Sequence, residues 1–197
     1  MERKDGQATF YPSSPDAWRQ WLLDNHAAEK NIWLILYRKG SGVPSLSYDE
    51  AVDVALCFGW IDSKPNKRDE QSFYQFFSRR NPKSKWSRVN KEKIERLSAA
   101  GLMHPTGIAA VELARENGTW TALDEVENLT IPADLDAALD ANPQAKSFFE
   151  AFPRSVKRGI LEWISNAKQA ETRRKRIEET VTLAAQNIRA NQYVKKT

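Results

Sequence analysis

The sequence predicts an α+β fold: a small antiparallel three-stranded sheet with helices in the N-terminal half, and an all-helical C-terminal half. Three observations predict it. Short apolar or aromatic runs bounded by turn residues occur only before residue 80. From Trp86 onward the apolar residues recur only at helical spacing. Between the strand-like runs, Ser14-Pro15 and Ser47-Tyr48-Asp49-Glu50 carry the chemistry of helix N-termini.

Taken in order, Ser14 supplies an N-cap and Pro15 a first helical residue, because proline has no N–H to lose there. Trp18, Trp21 and Leu22 follow at helical spacing, and the pattern stops near Asn25. Ile32 to Tyr37 is a continuous apolar run ended by Lys39-Gly40-Ser41-Gly42, a strand covered on both faces. Ser47 and Glu50 form a capping box that opens a helix ending at Gly59. Trp60 to Lys64 and Gln71 to Phe77 flank a polar connection with Pro65, Asn66 and Asp69, which reads as a β-hairpin. Helices follow: one to about Ala100, one from Pro105 to Gly118, then starts at Pro132 and at Asn142-Pro143. The stripes Ile160, Trp163, Ile164, Ala167 and Ile177, Val181, Ala184, Ile188 are helical, and the tail 191–197 is expected to fray. These elements divide the chain into an N-terminal α+β region, 1–120, an acidic linker-like segment, 121–131, and a C-terminal helical region, 132–197, expected to pack on the first.

Seven tryptophans and eight phenylalanines in 197 residues can fill a sizeable core, which argues against disorder. The single cysteine, Cys57, excludes an internal disulfide framework and fits a reducing compartment. With no apolar run near 20 residues and no secretory leader after Met1, the expectation is a cytoplasmic protein without membrane insertion. The oligomeric state is left open. The net charge of +4 is mild, but its distribution is uneven. Lys64 to Arg96 holds eleven Lys or Arg against four Asp or Glu, and Arg154 to Arg176 holds eight against two. Between them the chain is acidic.

Several chemistries are excluded. Two histidines and one cysteine cannot build the usual zinc clusters. Neither a nucleophile elbow nor a Walker loop nor a full dinucleotide fingerprint occurs, so no cofactor is expected. Cys57 reads as a small buried hydrophobe and His26 as a helix C-cap. Two stretches remain. In Phe58-Gly59-Trp60-Ile61-Asp62, two-residue alternation puts Trp60 and Asp62 on one face: either a pocket wall, or a core tryptophan beside a paired carboxylate. In Ser78 to Ser87, Arg79, Arg80 and Lys85 bring charge, Ser84, Ser87 and nearby Asn90 bring hydrogen bonds, and Trp86 brings a stacking surface. Guanidinium groups bind carboxylate or phosphate bidentately, so an anion is the expected guest of this loop. Arg173-Arg174-Lys175-Arg176 lacks interleaved aromatics and reads as a solvated helix face.

The aromatic opening (Trp18, Trp21, Leu22, Asn25), the strand 33–42, the block 46–62, the block 78–97 and the C-terminal blocks 135–155 and 160–179 occur in an order that resembles the YdeI/OmpD-associated, or bacteriocin-protection, family. The resemblance runs from Phe10 to Ala185. It implies a small bacterial α+β protein with a helical C-terminal region and a link to porins and antimicrobial resistance, and it brings no catalytic residue or cofactor. The functional expectation is a non-enzymatic protein of stress or bacteriocin protection that binds an anionic small molecule or peptide. Trp60, Asp62, Arg79, Arg80, Ser84, Lys85, Trp86, Ser87 and Asn90 form its site. The alternatives are a nucleic-acid-associated basic protein, whose affinity would fall steeply with salt, and an enzyme using Asp62 as acid or base.

Overall fold

The first strands pair where the sequence shows no periodicity at all. In this computed structural model, which describes residues 2–192, β1 (Arg3–Lys4) and β2 (Gln7–Phe10) form an antiparallel pair at one side of a sheet. Helix α1 (Pro15–Asn25) then crosses over to β3 (Asn31–Tyr37), which runs parallel to β2. After α2 (Tyr48–Cys57) come β4 (Trp60–Lys67) and β5 (Ser72–Arg79), antiparallel to each other, with β5 also antiparallel to β3. The sheet is therefore five-stranded and mixed, in the order β1-β2-β3-β5-β4, and the expected three-stranded antiparallel sheet is corrected. Strands of two and four residues are too short to show alternation. Their pairing comes from the crossover that α1 supplies, which a parallel neighbour requires. Helices are likewise spread along the whole chain: α1 and α2 alternate with strands, and the division into a sheet half and a helical half does not hold.

Strand β4 runs through Pro65 and Asn66, which the sequence placed in a turn. It is the last strand of the order, and its register shifts between Asp62 and Pro65. An edge strand with a bulge can accept a proline that has no N–H to give.

Alternation along β3 sorts its side chains. Ile32, Leu34 and Leu36 join the main core, while Trp33 and Ile35 pack with Tyr74, Tyr37 and Phe76. That core takes Trp18 and Leu22 from α1, Val52, Ala55 and Leu56 from α2, and Trp60 and Phe77 from the hairpin. It also takes Trp86, with Ile94 and Leu97 from α3 (Arg88–Ala99) and Val111 and Ala114 from α4 (Pro105–Glu116). Burying an aromatic of this size contributes about 1.5–3 kcal/mol. The buried Trp18 indole also donates to Ala51 O at 3.1 Å, so its one polar atom is satisfied. The Ser14 cap and the Ser47–Glu50 capping box both form.

The chain divides into two compact units, Met1–Thr121 and Ala122–Thr197. Residues 121–131, read as a linker, carry α5 (Asp124–Asn128) with Val126 and Glu127 buried. The segment looks polar because one carboxylate is buried against a guanidinium: Arg158 Nη2 donates to Glu127 Oε1 at 2.8 Å. In the second unit α6 (Ala133–Asp140), α7 (Pro143–Ala151), α8 (Arg154–Ser165) and α9 (Ala170–Ala184) enclose Leu135, Leu139, Phe149, Ile160, Ile164 and Ile177. Most of the tail expected to fray, from residue 193, lies outside the described residues.

Candidate functional site

The site grows out of the corner where α2 ends, β4 begins and β5 stops. Gly59 makes that corner. Its φ of +72° is one that L side chains rarely adopt, and a Cβ there would sit 3.1 Å from both Ala110 Cβ and Thr106 O. The chain thus turns tightly against the start of α4. Gly107 completes the approach: a Cβ on it would lie 2.1 Å from Cys57 O. Register pairs Trp60 with Arg79, and the next amide, Arg80 N, donates to Gly59 O at 2.9 Å.

The two guanidinium groups have separate tasks. Arg79 Nε donates to Glu29 O at 2.8 Å and its Nη2 to Ala27 O, tying the end of β5 to the α1–β3 connection. Arg80 lies flat on Trp86, its Cζ 3.7 Å from the ring centroid, and Nη2 donates to Lys85 O at 2.6 Å. Its Nε is buried without a hydrogen-bond partner. Burial pushes the Arg80 guanidinium down to about 10, partly opposed by the Asp62 charge, so it remains a cation at neutral pH. Among the described residues neither arginine forms an ion pair.

Beside them opens a cavity of about 360 Å³. Arg79, Arg80 and His26 bring positive or protonatable groups to it, Thr106 a hydroxyl, and Phe58 and Trp60 an aromatic floor. No carboxylate lines it. His26 Nδ1 donates to Leu22 O at 2.8 Å, the helix-capping role expected of it, and its ring meets His104 edge-on at 4.8 Å. His104 stacks on Phe58 at 4.7 Å, with burial first, then the His26 and Arg19 charges, holding its imidazole below the usual histidine range. On the other flank of Arg80 lies a small recess of about 30 Å³ made by Pro82, Trp86, Ala110, Leu113 and Ala114.

Of the residues expected at the site, Trp60, Arg79 and Arg80 line the larger cavity. Trp86 is core and offers a ring face to Arg80. Ser87 N-caps α3, its hydroxyl accepting from the Asn90 backbone N–H. Ser84 N donates to Asn81 O in the preceding turn, and Lys85 contributes its carbonyl to Arg80. Asp62 accepts the Tyr48 hydroxyl at 2.6 Å and is not among the residues lining this cavity. The second basic segment is largely engaged from within. Arg173 pairs with Asp134 at 2.6 Å, Arg174 with Glu171 and Glu178, and Lys175 with Glu171. Arg176 lies over the Trp163 ring.

Sequence reasoning missed Gly59 and Thr106 as site residues. The signal for Gly59 was present, since a glycine between a helix end and a strand marks a positive-φ corner. For Thr106 there was none: it stands 26 positions from Arg80 and arrives only when α4 packs against α2. Among the described residues there is no group of three or more His, Cys, Asp or Glu that could hold a metal, and no helix long and apolar enough to cross a membrane.

Residues 128–187 match the family described as bacteriocin-protection, YdeI or OmpD-associated. This stretch of the C-terminal unit is a YdeI/OmpD-associated domain. Residues 10–110 match a different family, described as a domain of unknown function, DUF8412. This second match spans just over half of the chain, which therefore belongs to the DUF8412 family, and every candidate site residue falls in it, as do the four N-terminal blocks that suggested the resemblance. The chain matches no curated protein and no solved structure.

Proposed function

We propose that the N-terminal unit is a binding module for a small molecule bearing a carboxylate or phosphate, held in the cavity beside Arg80 and released unchanged. One observation carries this reading: Arg80 is a largely desolvated cation with a partnerless buried Nε, beside a cavity without a carboxylate. Buried charges are ordinarily paired, because an isolated one costs several kcal/mol. The counter-charge here is the guest. The cavity volume falls in the range of small-ligand sites. The protective role in the family name fits capture of such a molecule before it acts.

The test is thermal shift with inorganic phosphate, acetate and short peptides. At 100 times Kd a guest stabilises by about 2.7 kcal/mol, roughly 5–10 °C for a protein of this size. Arg80→Gln, which ends near the position of the arginine Nε and removes the charge, should abolish the shift while its own unliganded Tm is followed as a control. If no anion moves the wild-type Tm, the reading fails.

A further inference from the structure

We infer that the guest is amphipathic: a carboxylate carrying a short aliphatic tail, its head on Arg80 and its tail in the recess against α4. The inference rests on the binding reading above and names the ligand class of that site. Arg80 lines both the cavity of about 360 Å³ and the recess of about 30 Å³. Helix α4 also runs under both. Thr106 lines the first, while Ala110, Leu113 and Ala114 line the second, at offsets of four, seven and eight residues along one helical face. The two hollows therefore follow one another along that face, with Arg80 common to both.

Their chemistries differ in the way an amphipathic molecule needs. The larger hollow gathers cationic groups and a hydroxyl beside Phe58 and Trp60, whereas the recess is walled mostly by alanines, Leu113, Pro82 and the Trp86 indole, with Asn81 its one uncharged polar residue. A hydrated ion such as phosphate gains nothing from such walls. A recess of about 30 Å³ has room for one or two carbons and no more. Each methylene moved there from water contributes about 0.8 kcal/mol, which is about fourfold in affinity. Leu113 is 42% exposed, so one wall of the recess is in contact with solvent. Two sources share this chemistry: a free short-chain acid, and a peptide C-terminus ending in a small aliphatic residue.

The experiment is a titration of the full chain, read on the Trp60 and Trp86 indole N–H signals in NMR. The ligands are acetate, propionate, butyrate and hexanoate, with N-acetyl-alanine and N-acetyl-glycine as the peptide arm. Affinity should rise about fourfold per carbon from acetate to butyrate and then flatten. Leu113→Ala, at an exposed position that folding tolerates, should leave acetate unchanged and lose most of the gain. A fourfold preference for N-acetyl-alanine over N-acetyl-glycine assigns the tail to a peptide residue, and a gain confined to the free acids assigns it to those. Equal binding of acetate and butyrate overturns the inference while the anion site stands. Binding of phosphate without any carboxylate does the same. Silence from every anion removes both.

Discussion

Two arginine clusters of this protein look alike in sequence and behave in opposite ways. Arg173 to Arg176 sits on α9, where Glu171 and Glu178 lie three residues before and four after Arg174 and Asp134 answers Arg173. Arg79 and Arg80 follow a strand whose neighbours are aromatic, and they find backbone carbonyls and an indole instead of carboxylates. A helix brings its own counter-charges within reach at i±3 and i±4. A strand end has no such supply, so a cation there either faces water or waits for an outside partner. The difference teaches that local charge balance at helical spacing says more about availability than the number of basic residues does.

The comparison can be broken at its scaffold first. Gly107→Ala drives a methyl into Cys57 O, and overpacking between α2 and α4 should cost about 3 kcal/mol in urea unfolding. Melting or anion binding unchanged in that variant would mean the corner does not hold the cavity. In the other unit, Glu127→Gln leaves Arg158 with only the Glu162 carboxylate. A loss of about 2 kcal/mol is expected there, with the anion-induced shift intact.

Acid should separate the units. The His104 pKa lies below its ordinary 6.5, chiefly through burial, so the unfolded chain holds that proton more tightly. Its contribution is full above about 6.5 and is lost as pH falls through the depressed folded value. Arg173 holds the Asp134 carboxyl below its ordinary 3.8, and that contribution is lost only as pH falls through the still lower folded value. Amide spectra followed from pH 7 to pH 3 should change first around His104 and Phe58, and later around Asp134. In His104→Asn, whose Oδ1 takes over from the ring Nδ1 as acceptor for Thr106 N, the early phase should vanish. The smallest effect belongs to Arg174→Ala. Both of its ion pairs are exposed and screened by salt, so its removal should leave the melting temperature essentially unchanged.

Local signals in the sequence were read well where the chemistry is local. The caps at Ser14 and Ser47, the start at Pro105 and the Asn142-Pro143 turn all form, because each depends on atoms within four residues. The missed strands, Arg3–Lys4 and Gln7–Phe10, depend instead on β3 being present to pair with. Pro65 was placed in a turn because nothing nearby reveals that β4 is an edge. At the site the same boundary applies. Arg79, Arg80 and Trp60 could be singled out by residue type, whereas the role of Trp86 as a platform for Arg80 and the use of Ser87 as a cap follow from contacts that spacing does not determine.

By itself, then, the sequence determined the α+β class, the helix starts, the aromatic core and the identity of the cations in play, since propensity, capping and burial are written residue by residue. Only the tertiary structure decided the order and direction of the strands, which cations are already neutralised, and where a hollow lies beside one that is not. Those depend on how far-apart segments meet, as Gly59 and Gly107 let α4 do against the end of α2.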